Sequence, residues 1–416
     1  MKRQKGLLTL LLGATATMAL ALGALGTALA AQGPIRVGVL APAAHIEGKA
    51  LFQGAELAAS EINAAGGVNG RKIKLIKYDN HGSASDSVRA FQRAVNQDHV
   101  VAVIGDFISE NALAVEPWAA RMKVPYIVSG AASTEITHKV HTHYNRFKYV
   151  FQMWLNSRLQ AQAVCDASHK VLHDELHLNR AIIVSENAAW TKPLDAGYEA
   201  CLPKAGFKVV GKVVFSPDTH DFSPIFSKIE SDHAQVVIAG LSHVGARMTV
   251  QWHNDEAPFE LAGINAQASD SSFWSATNGA TEGVITESAG APGAKVTPKS
   301  EPFTETFMKR FGAAPAYDAY TTYDALHVLA QAVKRAHGTQ ADALVKALEK
   351  TDWVGTTGRV AFYGRKSPYT HGLKYGKHYV PTVTLQWQKG KLVSVWPKRA
   401  ATGKVELPSY AKPSNG

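Results

Sequence analysis

The stretch that decides the fold reads IRVGVL at residues 35–40, APAAHIEGKALFQG at 41–54 and AELAASEINAAGGVNGRKIKLIKYDN at 55–80. Residues 35–40 form an apolar run rich in β-branched side chains, which is typical of a strand covered on both faces. Apolar residues then recur at helical spacing as far as Ile62. Gly66 and Gly67 end this helix, because glycine accepts the left-handed backbone conformation. A second apolar segment follows at 72–78, so the stretch is a βαβ unit with parallel strands.

Strand and helix patterns keep alternating along the rest of the chain. Between residues 100 and 263, short apolar runs are separated by segments with helical spacing, and helices are predicted at 300–311 and 318–335. A β-rich tail begins near residue 360. Repeated βα units predict an α/β fold with mostly parallel sheets. With 416 residues, the chain is long enough for two lobes that each have a core of their own.

Several short motifs agree with one known family. They are Glu61-Ile62-Asn63 followed by Gly66-Gly67-Val68-Asn69-Gly70, Val103-Ile104-Gly105, Val124-Pro125-Tyr126-Ile127, Asp221-Phe222-Ser223, Tyr379-Val380-Pro381 and Gln386-Trp387-Gln388. Through these motifs, the chain after residue 33 resembles the periplasmic leucine/isoleucine/valine-binding proteins, the receptors of branched-chain amino-acid ABC transporters. The resemblance implies a two-lobed type I periplasmic binding protein fold, in which a solute is buried in the cleft between the lobes.

The resemblance also predicts how the chain is divided between the lobes. Three crossing strands act as a hinge, and we expect them near Tyr149, Val284 and Gly355. The predicted bounds are 34–148 and 286–355 for lobe one, 149–285 and 356–400 for lobe two, and 401–416 for a C-terminal tail.

The N-terminus has the features of a secretory signal peptide. Basic residues at positions 2, 3 and 5 precede an apolar stretch over residues 7–25, and small residues at 28–30 provide a cleavage site. A retained membrane anchor is the alternative. No cysteine follows the cleavage site, which argues against a lipid anchor. Residues 1–30 are therefore predicted to direct export, and the periplasm is the predicted location of a mature protein that we expect to be monomeric.

Charge and cysteine content narrow the possible partners. The formal net charge is +10, or +7 once residues 1–30 are removed, but the basic residues are scattered and form no dense stripe. Nucleic acid is therefore not an expected partner. The two cysteines, Cys165 and Cys201, either form a disulfide in the oxidising periplasm or remain two buried thiols, and the sequence does not decide between these states.

Two loops of lobe one are candidates for binding a carboxylate, since ligands of parallel α/β sheets bind at the carboxyl ends of the strands. Ser109 lies where the family uses a serine hydroxyl for this purpose, although a plain helix N-cap is the alternative. The second loop includes Gly130, Ala131, Ala132 and Ser133, whose small side chains let backbone N–H groups approach the ligand; a tight turn is the alternative. The family usually has threonine where this chain has Ala132, and Ser133 is a possible substitute.

Lobe two and the first loop of the chain supply the other candidates. Trp190 matches the position of a tyrosine that the family packs against the ligand, with a core tryptophan as the alternative. Leu241 follows a strand where the family often has another aromatic residue, and Glu47 aligns with an aromatic residue of the family pocket. Asn265 occupies the position of the acidic residue that binds the α-ammonium group. Burying an ammonium without a carboxylate is costly, so the solute is predicted to be an amino acid or a small carboxylate or amide.

Other functions have weaker support in the sequence. His138, His141 and His143 are predicted to lie in a polar loop before the first crossing strand, at a spacing that suits a transition metal. Solvated surface histidines explain them better, so no metal or cofactor is expected. No phosphate-binding glycine loop, GxSxG elbow or CxxC motif occurs, which argues against an enzyme. The expected partners are a small solute and the membrane subunits of an ABC permease. A ligand-sensing subunit of a membrane receptor is the alternative, and an enzyme on the same fold is a further one.

Overall fold

A computed structural model describes residues 33–410, so the predicted signal peptide and residues 411–416 lie outside the described part of the chain. The strands are β1 (Ile35–Ala41), β2 (Ile73–Asp79), β3 (Ala102–Gly105), β4 (Tyr126–Val128), β5 (Val150–Gln152), β6 (Arg180–Glu186), β7 (Lys208–Phe215), β8 (Val236–Leu241), β9 (Glu260–Asn265), β10 (Ile285–Ser288), β11 (Trp353–Val354), β12 (Arg359–Val360), β13 (Val383–Gln388) and β14 (Lys391–Trp396).

Helices connect most of these strands. They are α1 (Ile46–Ala64), α2 (Ala84–Asn96), α3 (Ser109–Met122), α4 (Glu135–Thr142), α5 (Tyr144–Phe147), α6 (Ser157–Ser168), α7 (Thr191–Cys201), α8 (Ser223–Ser231), α9 (Gly245–Asn254), α10 (Phe273–Ala276), α11 (Ser300–Phe311), α12 (Tyr317–Ala336) and α13 (Ala341–Leu348). A π-helical segment, His169–Glu175, continues α6, and Pro203–Ala205, Gln267–Ser269 and Lys398–Ala400 are short 3-10 helices.

The first sheet contains the βαβ unit that the sequence predicts. Its strand order is β2-β1-β3-β4-β5, and every pair is parallel. All seven residues of β1 are buried except Arg36, which is half-buried, because the strand lies inside the sheet and is covered on both faces. This sheet is the centre of lobe one. Val150–Gln152 pairs with β4 at the edge of this sheet, directly after the predicted boundary at residue 148.

The second sheet is also parallel, with the order β7-β6-β8-β9. Strands β8 and β9 are buried along their whole length, and together with Phe226, Trp252 and Phe259 they form the core of lobe two. A three-stranded antiparallel sheet, β10-β13-β14, lies beside β9. The α/β fold with mostly parallel sheets is therefore confirmed, while the domain bounds stay predictions.

Helices α1 and α12 pack closely on lobe one, and one glycine makes this approach possible. A Cβ added at Gly54 would lie 2.3 Å from the carbonyl oxygen of Ala319, a distance that no side chain tolerates. The close packing positions Tyr317 and Asp318, at the start of α12, next to the first turn of α1.

Lobe two contains a disulfide between Cys165 and Cys201, whose Cα atoms are 6.0 Å apart. It links α6 to α7, two helices that pack side by side. The sequence left open whether these cysteines form a disulfide or remain two buried thiols, and the structure contains the disulfide. Within residues 33–410, no helix is both long enough and apolar enough to cross a bilayer.

Candidate functional site

The loops at the carboxyl ends of the two parallel sheets face each other and enclose a cavity of about 50 Å³. This is where parallel α/β sheets bind ligands, because helix N-termini and strand ends converge there. Sixteen residues from both lobes line it: Phe107, Ile108, Ser109, Glu110, Gly130, Ala132, Trp154, Gln160, Trp190, Ser242, His243, Ile264, Ala266, Glu287, Tyr317 and Thr382. The cavity thus combines aromatic walls with a few polar groups, as small-molecule sites usually do.

Ser109 lies at the first position of α3 and lines the cavity, where it is buried. The helix N-cap is Ile108, which has no side chain able to cap, so the alternative of Ser109 as a plain N-cap is wrong. Its hydroxyl oxygen instead accepts a hydrogen bond from the backbone N–H of Ser133 at 3.1 Å. This bond joins the two predicted loops and leaves the hydroxyl proton of Ser109 available for a ligand oxygen.

The loop from Gly130 to Ser133 offers a ligand fewer backbone N–H groups than the sequence suggested. The N–H groups of Gly130 and Ala131 both donate to the carbonyl of Asp106, at 3.1 and 2.9 Å, so these donors are used inside the protein. Among the described backbone N–H groups of residues 130–133, that of Ala132 has no hydrogen-bond partner. Ala132 lines the cavity. Gly130 has a steric role, since a Cβ there would lie 2.7 Å from that of Phe107.

The buried carboxylate of Asp106 is structural. Its Oδ1 accepts from the N–H groups of Phe107 and Ile108 at 2.6 and 3.3 Å, and its Oδ2 accepts from the amides of Asn80 and Asn111. Burial raises the pKa of Asp106 to about 6, against the opposing effect of these four donors. Because both oxygens are occupied, Asp106 positions the loop that holds Ser109 and is not a partner for a ligand cation.

Trp190, the aromatic residue that the resemblance places against the ligand, lines the cavity and is 7% exposed. Its indole N–H donates to the hydroxyl of Ser242 at 3.3 Å, and Ser242 in turn donates to Glu186. Glu186 also accepts from the ring and the backbone N–H of His243, at 2.7 and 2.9 Å. Burial would raise the pKa of Glu186, but its hydrogen bonds to His243 and Ser242 outweigh burial and lower it. A buried polar network therefore fixes the tryptophan.

Two of the predicted residues of lobe two do not line the cavity. The side chain of Asn265 is used inside its own lobe, where Oδ1 accepts from the N–H of Ala268 at 3.3 Å and Nδ2 lies 3.5 Å from Thr249. Its neighbours Ile264 and Ala266 line the cavity instead. Leu241 is fully buried in the core of lobe two, and the next residue, Ser242, takes the place expected for it.

Glu47 is buried in the first turn of α1 but is not one of the residues that line the cavity. Its Oε1 has no hydrogen-bond partner, and the same holds for both carboxyl oxygens of Asp318. Burial, followed by the nearby charges of Asp270 and Glu186, raises the pKa of Glu47 to about 7. Glu47 therefore does not form the polar pocket wall that was predicted from it.

Four important lining residues were missed in the sequence. Phe107 precedes Ser109 in its loop, and Trp154 and Tyr317, whose rings are 5.4 Å apart, complete the aromatic wall. Glu287 lies in β10 and is the fourth residue. Strand β10 reads Ile-Thr-Glu-Ser, so Glu287 is one polar residue among three and gives no clear signal in the sequence.

A hydrogen bond also joins the two sides of the cavity at its edge. The N–H of Ala189, in the loop before α7, donates to Oε1 of Glu110, in the first turn of α3, at 2.7 Å. This bond connects the loop before α7 to the start of α3 at the edge of the cavity.

The three histidines proposed as weak metal candidates do not form a site. His138 and His141 lie in α4 rather than in a loop, because Ile136, Thr137 and Val140 give this segment a buried face. Within residues 33–410, only His169, His173 and Asp174 form a group of three potential metal ligands. Their ligand atoms lie within 4.8 Å of one another. There, Lys170 already binds Asp174 at 2.7 Å.

Comparisons with known proteins agree with this architecture. A family model described as periplasmic binding protein matches residues 34–375. The Leu/Ile/Val-binding protein homolog 7 of Brucella suis biovar 1 is 26% identical over 405 residues, which cover 92% of this chain and 96% of the relative.

Two solved structures share the fold. The isoleucine complex of a branched-chain amino acid transporter substrate-binding protein from Streptococcus pneumoniae has a TM-score of 0.73 and 20% identity, covering 86% of this chain and 97% of that chain. A Rhodopseudomonas palustris solute-binding protein of an ABC transporter, in complex with benzoate, also has a TM-score of 0.73, with 18% identity and coverage of 91% and 99%. The resemblance that the motifs indicated is confirmed, and the chain belongs to the periplasmic binding protein family.

Proposed function

We propose that this protein is the extracytoplasmic receptor of an ABC importer, which binds a small carboxylate-bearing solute between its lobes and delivers it to a membrane permease. The observation that carries the proposal is the cavity between the two sheets, which is lined by Ser109, whose hydroxyl proton is available to a ligand, and by Trp190. Relatives are named after leucine, isoleucine and valine, and one structural neighbour binds benzoate. These names support an amino acid or a related small carboxylate as the solute.

The mechanism is a binding cycle without chemistry on the solute. The carboxylate binds first to lobe one, where the Ser109 hydroxyl and the Ala132 N–H donate to it. Lobe two then closes, and Trp190 covers the solute while Ala189 bonds Glu110. A ligand shifts this equilibrium only through its higher affinity for the closed form. The permease would recognise that form, so that transport depends on closure.

A thermal-shift screen of the mature protein tests the proposed function. The panel contains branched-chain and aromatic amino acids, aliphatic and aromatic carboxylates, and amides. A true solute at a hundredfold excess over its dissociation constant adds about 2.7 kcal/mol of stability, which raises the melting temperature by several degrees. If no member of the panel raises it, the receptor proposal for this class of solute is wrong.

Glu110→Ala is expected to weaken the binding of every solute by about the same factor. The mutation removes the hydrogen bond to Ala189 that ties the closed lobes together. An exposed bond to a charged group is worth about 1 kcal/mol, which corresponds to about fivefold in affinity. Calorimetry with two solutes of different shape measures the factor.

Glu135→Ala is the matched control, because Glu135 lies in the first turn of α4 on the same lobe and is exposed. It should leave the affinity unchanged. A loss in Glu110→Ala that differs strongly between the two solutes would mean that Glu110 contacts the ligand rather than stabilising closure.

A further inference from the structure

The cavity has an unusual charge balance for a site that takes a carboxylate. None of its sixteen lining residues is lysine or arginine, whereas Glu110 and Glu287 both line it. Glu186 adds a third carboxylate just outside the lining, although it is paired with His243. A solute that carries only negative charge would therefore meet these carboxylates without a lysine or arginine to compensate it. The imidazole of His243, whose pKa the bond to Glu186 raises, is already paired with Glu186. The surroundings favour a solute with a positive group.

Glu287 is placed to receive such a group. Its side chain is 8% exposed, and it lies in β10 at the boundary between the sheet and the cavity. The hydroxyl of Thr384 donates to Oε1 at 2.7 Å and holds the carboxyl in place. Oε2 has no hydrogen-bond partner, although Thr382 lies close to the carboxyl. A buried carboxylate oxygen without a partner is costly, and a donor on the ligand would remove that cost.

The position of Glu287 also explains how an amino acid could bind although residue 265 is an asparagine. Strands β9 and β10 are neighbours, and the hydroxyl of Thr286 bonds the backbone of Asn265 through both N–H and C=O, at 3.0 and 2.9 Å. Glu287 is the next residue along β10. Glu287 in β10 can thus supply the carboxylate that the family has at the end of β9, where this chain has Asn265.

We propose that Glu287 binds the cationic nitrogen of the solute, which is therefore a small zwitterion with its carboxylate at Ser109 and its ammonium at Glu287. The proposal rests on the proposed function of the cleft as a solute site and names the chemical class of that solute. The aromatic wall of Phe107, Trp154, Trp190 and Tyr317 then surrounds the apolar part of the molecule.

The protonation of Glu287 agrees with this assignment. Burial raises the pKa of Glu287 to about 7, against the lowering effect of the threonine hydroxyls, and the charge of Asp166 raises it further. The other titratable groups that interact with it are the phenols of Tyr198 and Tyr375, and Tyr375 donates to Asp166. An ammonium bound to Glu287 would lower this pKa, so the solute would displace a proton.

The competing explanation is structural. A second cavity, of about 10 Å³, touches the other side of Glu287, and its lining includes Val164, Val171 and Leu172. A cavity of this size is about large enough for one water molecule. In that case a water molecule inside lobe two would donate a hydrogen bond to Oε2 of Glu287. Mutating Glu287 would then change the free energy of unfolding without changing which solutes bind.

Matched solute pairs that differ only in the amine distinguish the two explanations. The pairs are leucine and 4-methylpentanoate, phenylalanine and 3-phenylpropanoate, and 4-(aminomethyl)benzoate and 4-methylbenzoate. Calorimetry measures each of them with the wild type, Glu287→Gln and Glu287→Leu. We expect the wild type to prefer the amine of at least one pair by at least about tenfold, and both variants to lose that preference while binding the des-amino partner within about twofold.

Glu260→Gln is the matched control. Glu260 is a fully buried glutamate at the start of β9 whose two carboxyl oxygens have no hydrogen-bond partner, and it does not line the cavity. Its variant should keep the wild-type preference. If Glu287→Leu fails to fold, Glu287→Gln, which keeps the shape of the side chain, still decides the question.

Proton release gives a second, independent readout. Binding of the amine to wild type at pH 6 should release protons, as measured by calorimetry in buffers of different ionisation enthalpy, and the release should disappear at pH 8.5 and in Glu287→Gln. Affinity for the amine should accordingly rise as the pH increases through about 7. Binding of solutes with an unchanged preference in the Glu287 variants would overturn the assignment alone. Failure of every pair to bind the wild type would overturn both the assignment and the proposed function.

Discussion

Replacing both Cys165 and Cys201 by alanine is expected to lower the free energy of unfolding by about 4 kcal/mol. The bridge closes a loop with a sequence separation of 36 residues, and it joins α6 to α7 in lobe two. In the chain-entropy account, a cross-link restricts the unfolded chain, and loops of 15 to 100 residues give about 3 to 4.7 kcal/mol. Both cysteines are buried, so the two alanines lose some packing as well.

Urea denaturation of the double variant and of the wild type, each with and without dithiothreitol, measures this effect. Reduction should lower the midpoint of the wild type towards that of the double variant and should leave the variant unchanged. Solute affinity should change little, because neither cysteine lines the cavity. Equal midpoints for the reduced and oxidised wild type would mean that the thiols are not bridged in solution.

The sequence predicts lobe one well because its signals are local. The run at residues 35–40, the helical spacing up to Ile62 and the two glycines after it lie within one βαβ unit, and the structure contains that unit as β1, α1 and β2. The loop of Ser109 could be located for the same reason, since strand and helix follow each other directly. Local patterns also failed once, where α4 was taken for a polar loop, because its buried face consists of only three residues.

The far side of the candidate site could not be predicted in this way. Glu287 lines the cavity because β10 pairs with β13, and its partner Thr384 is 97 positions later in the sequence. No local pattern reveals such a pairing. Asn265 was assigned by alignment alone. Its neighbours Ile264 and Ala266 line the cavity, whereas its own side chain bonds within lobe two. Which side chain of a strand end faces the ligand depends on packing from the other elements.

Trp190→Ala is expected to weaken solute binding at least tenfold and to leave the fold intact. The indole lines the cavity from lobe two. In the proposed mechanism, closure brings it over the solute. Burying an apolar side chain of this size is worth about 1.5–3 kcal/mol, and 1.4 kcal/mol already corresponds to a factor of ten in affinity. The N-terminus of α7 should survive, because Trp190 makes no side-chain cap and Thr191 instead bonds the carbonyls of Glu186 and Ala188.

Two further tryptophan variants make this test specific. Trp274→Ala removes a half-buried tryptophan that stacks on Trp387 in lobe two, away from the cavity, and should leave affinity unchanged. Trp190→Phe keeps an aromatic ring but loses the bond to Ser242, so it should retain most of the affinity if the ring area dominates. Calorimetry gives the affinities, and circular dichroism checks the fold. Unchanged affinity in Trp190→Ala would remove Trp190 from the site, and the cleft would then have to bind its solute without the lobe-two aromatic on which the closing mechanism depends.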